Sequence, residues 1–299
     1  MHVGPDARAA KNAGLAMRKF LIVTADDFGL HDAVNIAVEQ ASRAGILTAA
    51  SLMVGAPAAD DAVRRARSLP GLRVGLHVVL ADGSAMLAPH LIPGLADGAG
   101  HMDDRMLSRG LRYFALPRVR RQLEAEIRAQ FAAFALTGLP LDHVNVHKHF
   151  HLHPTLLGTL LRIGREYGAL AVRVPDEPFW FAARGGGSAA AGAFLLKPWI
   201  ALMKLRLRSA GVFHNDHIFG VAASGAMDEA KLLQVIERLP PGVTEIYLHP
   251  AAGSGAIAPS MSRYRHADEL AALLSPRVRA AIAAAEIGRG GFSDAANRP

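Results

Sequence analysis

A chain of 299 residues with 51% apolar and 20% charged residues can bury a large core and is not a disordered polymer. It contains no cysteine, which excludes disulfide staples, thiolate zinc sites, iron–sulfur clusters and a cysteine nucleophile. Thirty-three basic against 26 acidic residues leave a net charge of +7, but no zinc finger, aromatic RNA-binding strand or basic heptad accompanies that surplus.

Arginine patches such as Arg64, Arg65, Arg67 and Arg118, Arg120, Arg121 therefore fit solvated helix faces better than a nucleic-acid surface. Residues 1 to 16 are small and polar, and a natural opening falls at Met17 (MRKFLIVTADDFG), so a disordered extension is expected before it. No signal-peptide core is visible, and a cytoplasmic location is expected, at the inner face of the membrane if it meets one. The segment closest to a span, Ala193 to Leu207, is interrupted by Lys197, Pro198 and Lys204 and is shorter than the ~20 apolar residues a crossing needs.

Phe20 to Ala25 (FLIVTA) has the branched, uninterrupted apolar character of a buried parallel strand. His31 to Ala44 shows helical spacing and is closed by Gly45. The pattern then predicts a strand at Leu47 to Val54, a helix at Ala58 to Ser68, a strand at Leu72 to Leu80, and a loop from Ala81 to about Met106. Pro117 opens a long amphipathic helix to about Thr137. A strand (Leu141 to His147), a helix (Pro154 to Tyr167) and a strand (Ala169 to Val174) follow, then an irregular insertion at 176–217 with a triple glycine at Gly185 to Gly187. A helix at Asp228 to Leu239, a strand at Thr244 to His249 and one or two helices within Ala267 to Ala285 complete the chain. Alternating strands and helices predict one α/β domain of parallel strands joined by crossover helices, either a barrel or an open sheet.

In such folds functional groups gather beyond the C-terminal ends of the strands. Asp26 and Asp27 end the first strand, His77 lies late in the third, and His147 and His249 end two others. Adjacent carboxylates at a strand end suit a metal ligand beside a base, but they also suit capping of the next helix. His77 alone fits a satisfied core histidine as well as a ligand. The run His143, His147, His149, His151 and His153 has one parity, so a continuing strand would place all five on one face, although Pro154 argues for an end near His147 or His149. With no thiolate present, these residues point to a divalent ion in nitrogen and oxygen ligands. Neither Ser254 nor Ser260 lies in a nucleophile elbow.

TADDFGL after the first strand, GLHVVL, HVNVHKHFHLHP, VRVPDEP and a final LHP, in that order from about Met17 onward, resemble the YdjC-like (ChbG-type) carbohydrate deacetylases. The resemblance implies a single-domain α/β fold, an irregular NodB-like (β/α) barrel over 17–299, and removal of acetyl groups from N-acetylated sugars. It implies one divalent ion, zinc or magnesium, held by Asp27, His77 and His147. It also implies Asp26 as general base, His249 as general acid and Arg173 as a partner for a carboxylate near the site. Asn145 stands where many relatives carry an aspartate.

Within that family the chain is most similar to the hopanoid-biosynthesis-associated (HpnK) branch, on the histidine motif, GVFHNDHIFG (Gly211 to Gly220) and GGFSD (Gly290 to Asp294). The implied substrate is an N-acetylglucosaminyl group on a hopanoid lipid, with soluble N-acetylated chito-oligosaccharides as the alternative. Aromatic and basic residues mingle over 179–208, with Phe179, Trp180, Phe194 and Trp199 among Lys197, Lys204, Arg206 and Arg208. That mixture suits peripheral membrane contact and equally a helix packed on the barrel or on the twin subunit of a homodimer. A metal-dependent hydrolase of another bond, such as a phosphoester, and a non-enzymatic basic lipid- or nucleic-acid-binding protein are the competing classes.

Overall fold

The apolar run at Phe20 becomes the middle of the sheet. In this computed structural model the described residues are 19–253 and 255–298; the expected extension over 1–16 and Ser254 lie outside them. The strands are β1 (Phe20–Phe28), β2 (Ala49–Leu52), β3 (Arg73–Val78), β4 (Gly83–Ser84), β5 (His101–Met102), β6 (Val144–Val146), β7 (His217–Phe219), β8 (Val243–Leu248) and β9 (Gly288–Arg289). The main sheet runs β6-β3-β2-β1-β8-β7, every neighbour parallel, with β9 beside the start of β1. β1 is buried along its whole length, which explains its lack of alternation.

Helices cover the outer face, including Asp32–Ala44, Ala59–Arg67, Pro117–Leu136, Pro154–Glu166, Glu229–Glu237, His266–Leu274 and Pro276–Ala284. The sheet curls into an irregular half-barrel, the expected architecture. Closure between β6 and β7 is made of fragments. Val144 bridges Val172, Ala171 bridges Phe213, and the Asn215 side chain accepts from the Val174 N–H and donates to its carbonyl, each at 2.8 Å. The strand expected at 169–174 is thereby reduced to isolated bridges: Pro175 ends it, and a side chain takes the place of a partner strand.

Register decides what fills the interior. Residues paired across parallel strands face the same way, so Thr24, Tyr247 and Ala49 share a face, as do Ser51 with Gly75 and His77 with Asn145. At the bottom of that interior, Phe20, Ile22, Ala49, Ala171 and Val243 pack on Phe292 and Ala295 of a short C-terminal helix, Phe292–Ala296. The GGFSD segment therefore plugs the barrel floor. Above the plug the inward residues are polar: Thr24, Asp26, Ser51, His77, His143, Asn145, Arg173 and Glu245, all buried.

The insertion at 176–217, expected to be irregular from its glycines and Pro198, contains the helices Phe179–Ala182 and Gly187–Ser209. Pro198 lies inside the longer one and removes a helical donor. Side-chain anchors offset that loss. Lys197 and Lys204 both bind Asp176, and Trp199 Nε1 donates to the Leu152 carbonyl at 2.6 Å. The expected loop from Ala81 contains the small antiparallel pair β4–β5. Among the described residues no helix is long and apolar enough to cross a membrane.

Candidate active site and metal centre

The two carboxylates at the end of β1 owe their placement to a bulge. The β1–β2 register shifts between Ala25 and Phe28, and Asp27 sits there at φ +61°, a left-handed conformation that aspartate tolerates better than most residues. Gly29 follows at φ +95°. Neither carboxylate caps the next helix: His31 is its N-cap, and its ring accepts from the Ala33 N–H. The bulge lets consecutive residues both serve the inner end of the barrel.

Asp27 Oδ1 lies 3.2 Å from His77 Nε2 and 3.2 Å from His147 Nδ1, and those two nitrogens are themselves 3.2 Å apart. These three residues form a buried group able to hold a metal ion, with one ligand atom from each inside a 4.8 Å span. Both Asp27 oxygens are buried and without a hydrogen-bond partner. Such a group is costly unless a cation meets it. Burial opposes its ionisation, but His147, His77 and His249 outweigh that and hold the carboxyl well below its usual range. One carboxylate and two imidazoles on one point, with an ionised and orphaned acid among them, fit a divalent ion with coordination positions left open.

His249 flanks the group, its Nε2 3.9 Å from Asp27 Oδ2 and its Nδ1 without a partner. Burial lowers its proton affinity, against the pull of Asp27 and Asp26. The loop that carries it is tied down by Glu269, whose buried carboxylate accepts from the His249 N–H at 2.5 Å and from the Met227 N–H at 2.9 Å.

Asp26 faces the other way. Arg173 donates to its Oδ2 at 2.5 Å and its Oδ1 at 2.9 Å, and the same guanidinium binds Glu245 at 2.7 and 2.9 Å. Thr24 Oγ1 donates to Glu245 at 2.7 Å, and Tyr247 lies under the guanidinium, 4.9 Å from carbon to ring centre. Burial resists the Asp26 charge, yet Arg173 prevails and keeps it ionised far below the ordinary carboxylate range.

The histidine run separates into different roles because its strand stops at Val146. Lys148 and His149 are both left-handed, at φ 56° and 55°, so the shared parity of His147, His149, His151 and His153 places them on no common face. His149 Nε2 meets the Tyr247 hydroxyl at 3.2 Å, and His151 Nε2 meets the Arg173 carbonyl at 2.9 Å. His143 looks inward: its Nδ1 is 2.9 Å from Asp142 Oδ2 and its Nε2 is 3.0 Å from Ser51 Oγ. That geometry resembles a hydrolase triad, but all three residues are buried beneath the site. Asp142 also binds the Phe292 and Ser293 N–H groups, so the chain of bonds fixes the plug. Gly75 makes room for it, since a Cβ there would lie 2.5 Å from the His143 ring.

Asp26, His77, His147, Tyr247, His249 and Tyr264 line one cleft of about 180 Å³. An apolar pocket of about 330 Å³ adjoins it across Asp82, His147, Ser260 and Met261. A second, of about 230 Å³, adjoins it across His149 and Val221 and runs under Leu196 and Ile200. All six residues singled out from the sequence thus meet at one end of the barrel. Glu245, Tyr247, Ser51 and Glu269 were missed. Strand alternation through TEIYLH carries the signal for the first two, because 245, 247 and 249 share one face.

The family model of YdjC-like protein matches residues 20–284. A carbohydrate deacetylase of Brevibacillus brevis is 39% identical over 163 residues, which span 54% of this chain and 59% of that protein. One of Geobacillus stearothermophilus is 30% identical over 271 residues, 89% of this chain and 94% of the relative. A solved structure from Enterococcus faecalis V583, of a protein named for cellobiose-phosphate cleavage, superposes with a TM-score of 0.72 at 23% identity, over 93% of this chain and 98% of that one. At that identity the likeness speaks for the fold alone.

Proposed function

The chain belongs to the YdjC-like family, and from that premise we propose that it is a carbohydrate deacetylase, a divalent-metal-dependent hydrolase that frees acetate from an N-acetylglucosaminyl unit. The observation that carries the reading is the orphaned Asp27 carboxylate between His77 and His147, with Asp26 and His249 in the same cleft. The names of two relatives, both carbohydrate deacetylases, support an acetylated sugar as substrate.

Asp27, His77 and His147 would hold the ion, zinc or magnesium, which when bound supplies Lewis acidity to a carbonyl and to a water. Asp26 is the base. Arg173 keeps it ionised, and it takes the proton that the attacking water loses. Arg173 touches Asp26 and Glu245 from a fully buried position and does not line the cleft, so it is a positioning residue. His249, beyond Asp27, protonates the departing nitrogen; its depressed proton affinity makes the imidazolium a stronger acid for that step.

We assign the sugar to a lipid, a hopanoid carrying N-acetylglucosamine. The helix Gly187–Ser209 exposes Phe194, Leu195 and Leu205 beside the apolar pocket under Leu196 and Ile200, and that pocket shares His149 and Val221 with the cleft. Apolar side chains next to Arg206 and Arg208 suit contact with a membrane surface. The test is acetate release by metal-reconstituted protein from N-acetylglucosaminyl-hopanoid and from N-acetylated chito-oligosaccharides, each with and without a chelator. Metal-dependent release, faster from the glycolipid, is expected. No acetate from either substrate refutes the activity, and release from chito-oligosaccharides alone refutes the lipid.

A further inference from the structure

Asn145 occupies the centre of the buried polar layer and belongs to neither the metal group nor the cleft lining. It lies in β6, paired in register with His77 of β3, and is fully buried. Its Oδ1 is 2.7 Å from His77 Nδ1, and its Nδ2 is 3.1 Å from Asp26 Oδ1 and 2.9 Å from Ser51 Oγ. The amide is thus shared between the proposed metal ligand and the proposed base.

The orientation of this amide follows from its neighbours. Turning it over would set Oδ1 against an Asp26 oxygen that Arg173 already holds as a carboxylate, two acceptors facing each other in a buried site. With Oδ1 fixed toward His77, that oxygen can only accept, so His77 Nδ1 carries the proton. In the neutral ring Nε2 then keeps its lone pair, and it is Nε2 that faces Asp27 and His147. A carboxylate at 145 could accept from His77 equally well, but its second oxygen would repel Asp26. In this chain the amide serves both partners.

We propose that Asn145 is a dual positioning residue, its carbonyl selecting the His77 tautomer that binds metal and its amino group holding Asp26 in place as base. The inference rests on the ligand and base assignments above, and it divides one side chain into two separable effects.

Two variants separate them. Asn145→Ala removes both contacts and should weaken Co²⁺ binding, read by visible absorption and titration calorimetry, by about 10–100-fold. It should also lower kcat at saturating Co²⁺. Asn145→Asp keeps an acceptor for His77 and loses the donor to Asp26, so Co²⁺ affinity should stay within about threefold of wild type while kcat falls about 10-fold or more. Equal effects of the two variants on both readouts would overturn the division of labour, as would wild-type affinity in Asn145→Ala. Should either variant fold poorly by circular dichroism, ¹⁵N NMR of wild-type His77 decides the first half: a proton on Nδ1 is expected, and an unprotonated Nδ1 refutes it. Wild-type protein that takes up no Co²⁺ overturns the ligand assignment instead, and the His77 tautomer still tests Asn145.

Discussion

Arg173 and Asp26 meet side by side, two guanidinium nitrogens on two carboxylate oxygens at 2.5 and 2.9 Å, with neither residue lining an outer surface. The guanidinium has one edge on Asp26 and another on Glu245, so a single cation neutralises two buried acids from adjoining strands. Removing it leaves both uncompensated. Arg173→Gln should destabilise the fold by about 3–5 kcal/mol, the usual consequence of breaking a buried pair on one side. Arg173→Lys retains the charge but is a point donor without the fork, so it should recover part of the stability and little of the turnover. Urea unfolding beside acetate release measures both; a lysine variant with wild-type kcat would show that bidentate geometry is irrelevant to the base.

The Asp27 carboxylate leads to a prediction about metal-linked stability. Its oxygens are buried, but in the metal-free protein His147, His77 and His249 outweigh burial and hold it ionised. Asp27→Asn keeps a residue at ease in the left-handed turn and removes the charge those histidines face. In the presence of chelator the variant should therefore be less stable than wild type, by about 1–3 kcal/mol. Added Zn²⁺ should raise the melting temperature of wild type and leave the variant unchanged. A chelated variant more stable than chelated wild type would mean that the desolvation cost of the carboxylate outweighs its histidine partners.

The local periodicities carried most of the architecture. The alternation of FLIVTA, LRVGLHVVL and TEIYLH with helical stretches marked the parallel sheet, and the strand ends marked Asp26, Asp27, His77, His147 and His249, because both signals are confined to a few neighbouring residues. What sequence did not disclose depends on contacts distant along the chain. Nothing near Asn215 announces that its side chain will complete a sheet at Val174, and nothing in GGFSD announces a plug beneath Phe20 and Ile22. The parity of the histidine run carries no information past the strand end, which Pro154 puts near His147 or His149 and which falls at Val146. Lys148 and His149 leave the strand for left-handed backbone, held by the Lys148–Asp82 ion pair at 2.8 Å and the His149–Tyr247 contact. Strained backbone of this kind is fixed by tertiary partners and has no signature in a single sequence.

The helix Gly187–Ser209 depends on Asp176 for its attachment. Lys197 and Lys204, two helical turns apart, both reach that carboxylate, and the next residue, Glu177, accepts from the N–H groups of Gly220, Val221 and Ala222 at 2.9 Å each. Asp176 and Glu177 together therefore join the helix to the loop that carries Val221 into the cleft. Asp176→Asn should loosen the helix without unfolding the barrel. Limited proteolysis should cut between 184 and 209 at least about tenfold faster than in wild type, since the rate follows the free energy of local opening and about 1.4 kcal/mol is a factor of ten. An unchanged cleavage pattern would assign the attachment to Trp199 and its bond to Leu152 instead.

His151 gives the fold a defined weakness in acid. It is completely buried, its Nε2 on the Arg173 carbonyl, and burial brings its pKa down to about 4, with nearby Arg173 and His77 adding to that effect. In the unfolded chain the same imidazole titrates near 6.5. Between these values the unfolded state binds a proton that the folded state refuses, so stability is complete above pH 6.5 and falls as pH drops toward 4. The slope from this group approaches 1.4 kcal/mol per pH unit, about 3 kcal/mol across the window. His151→Gln offers the same carbonyl an N–H and cannot titrate. Relative to wild type, the variant should gain stability steadily from pH 6.5 down to 4, read as the difference in urea midpoints at pH 7 and pH 5. A difference that does not change with pH would show that His151 titrates in the folded protein as it does in the unfolded chain, and that burial does not depress it.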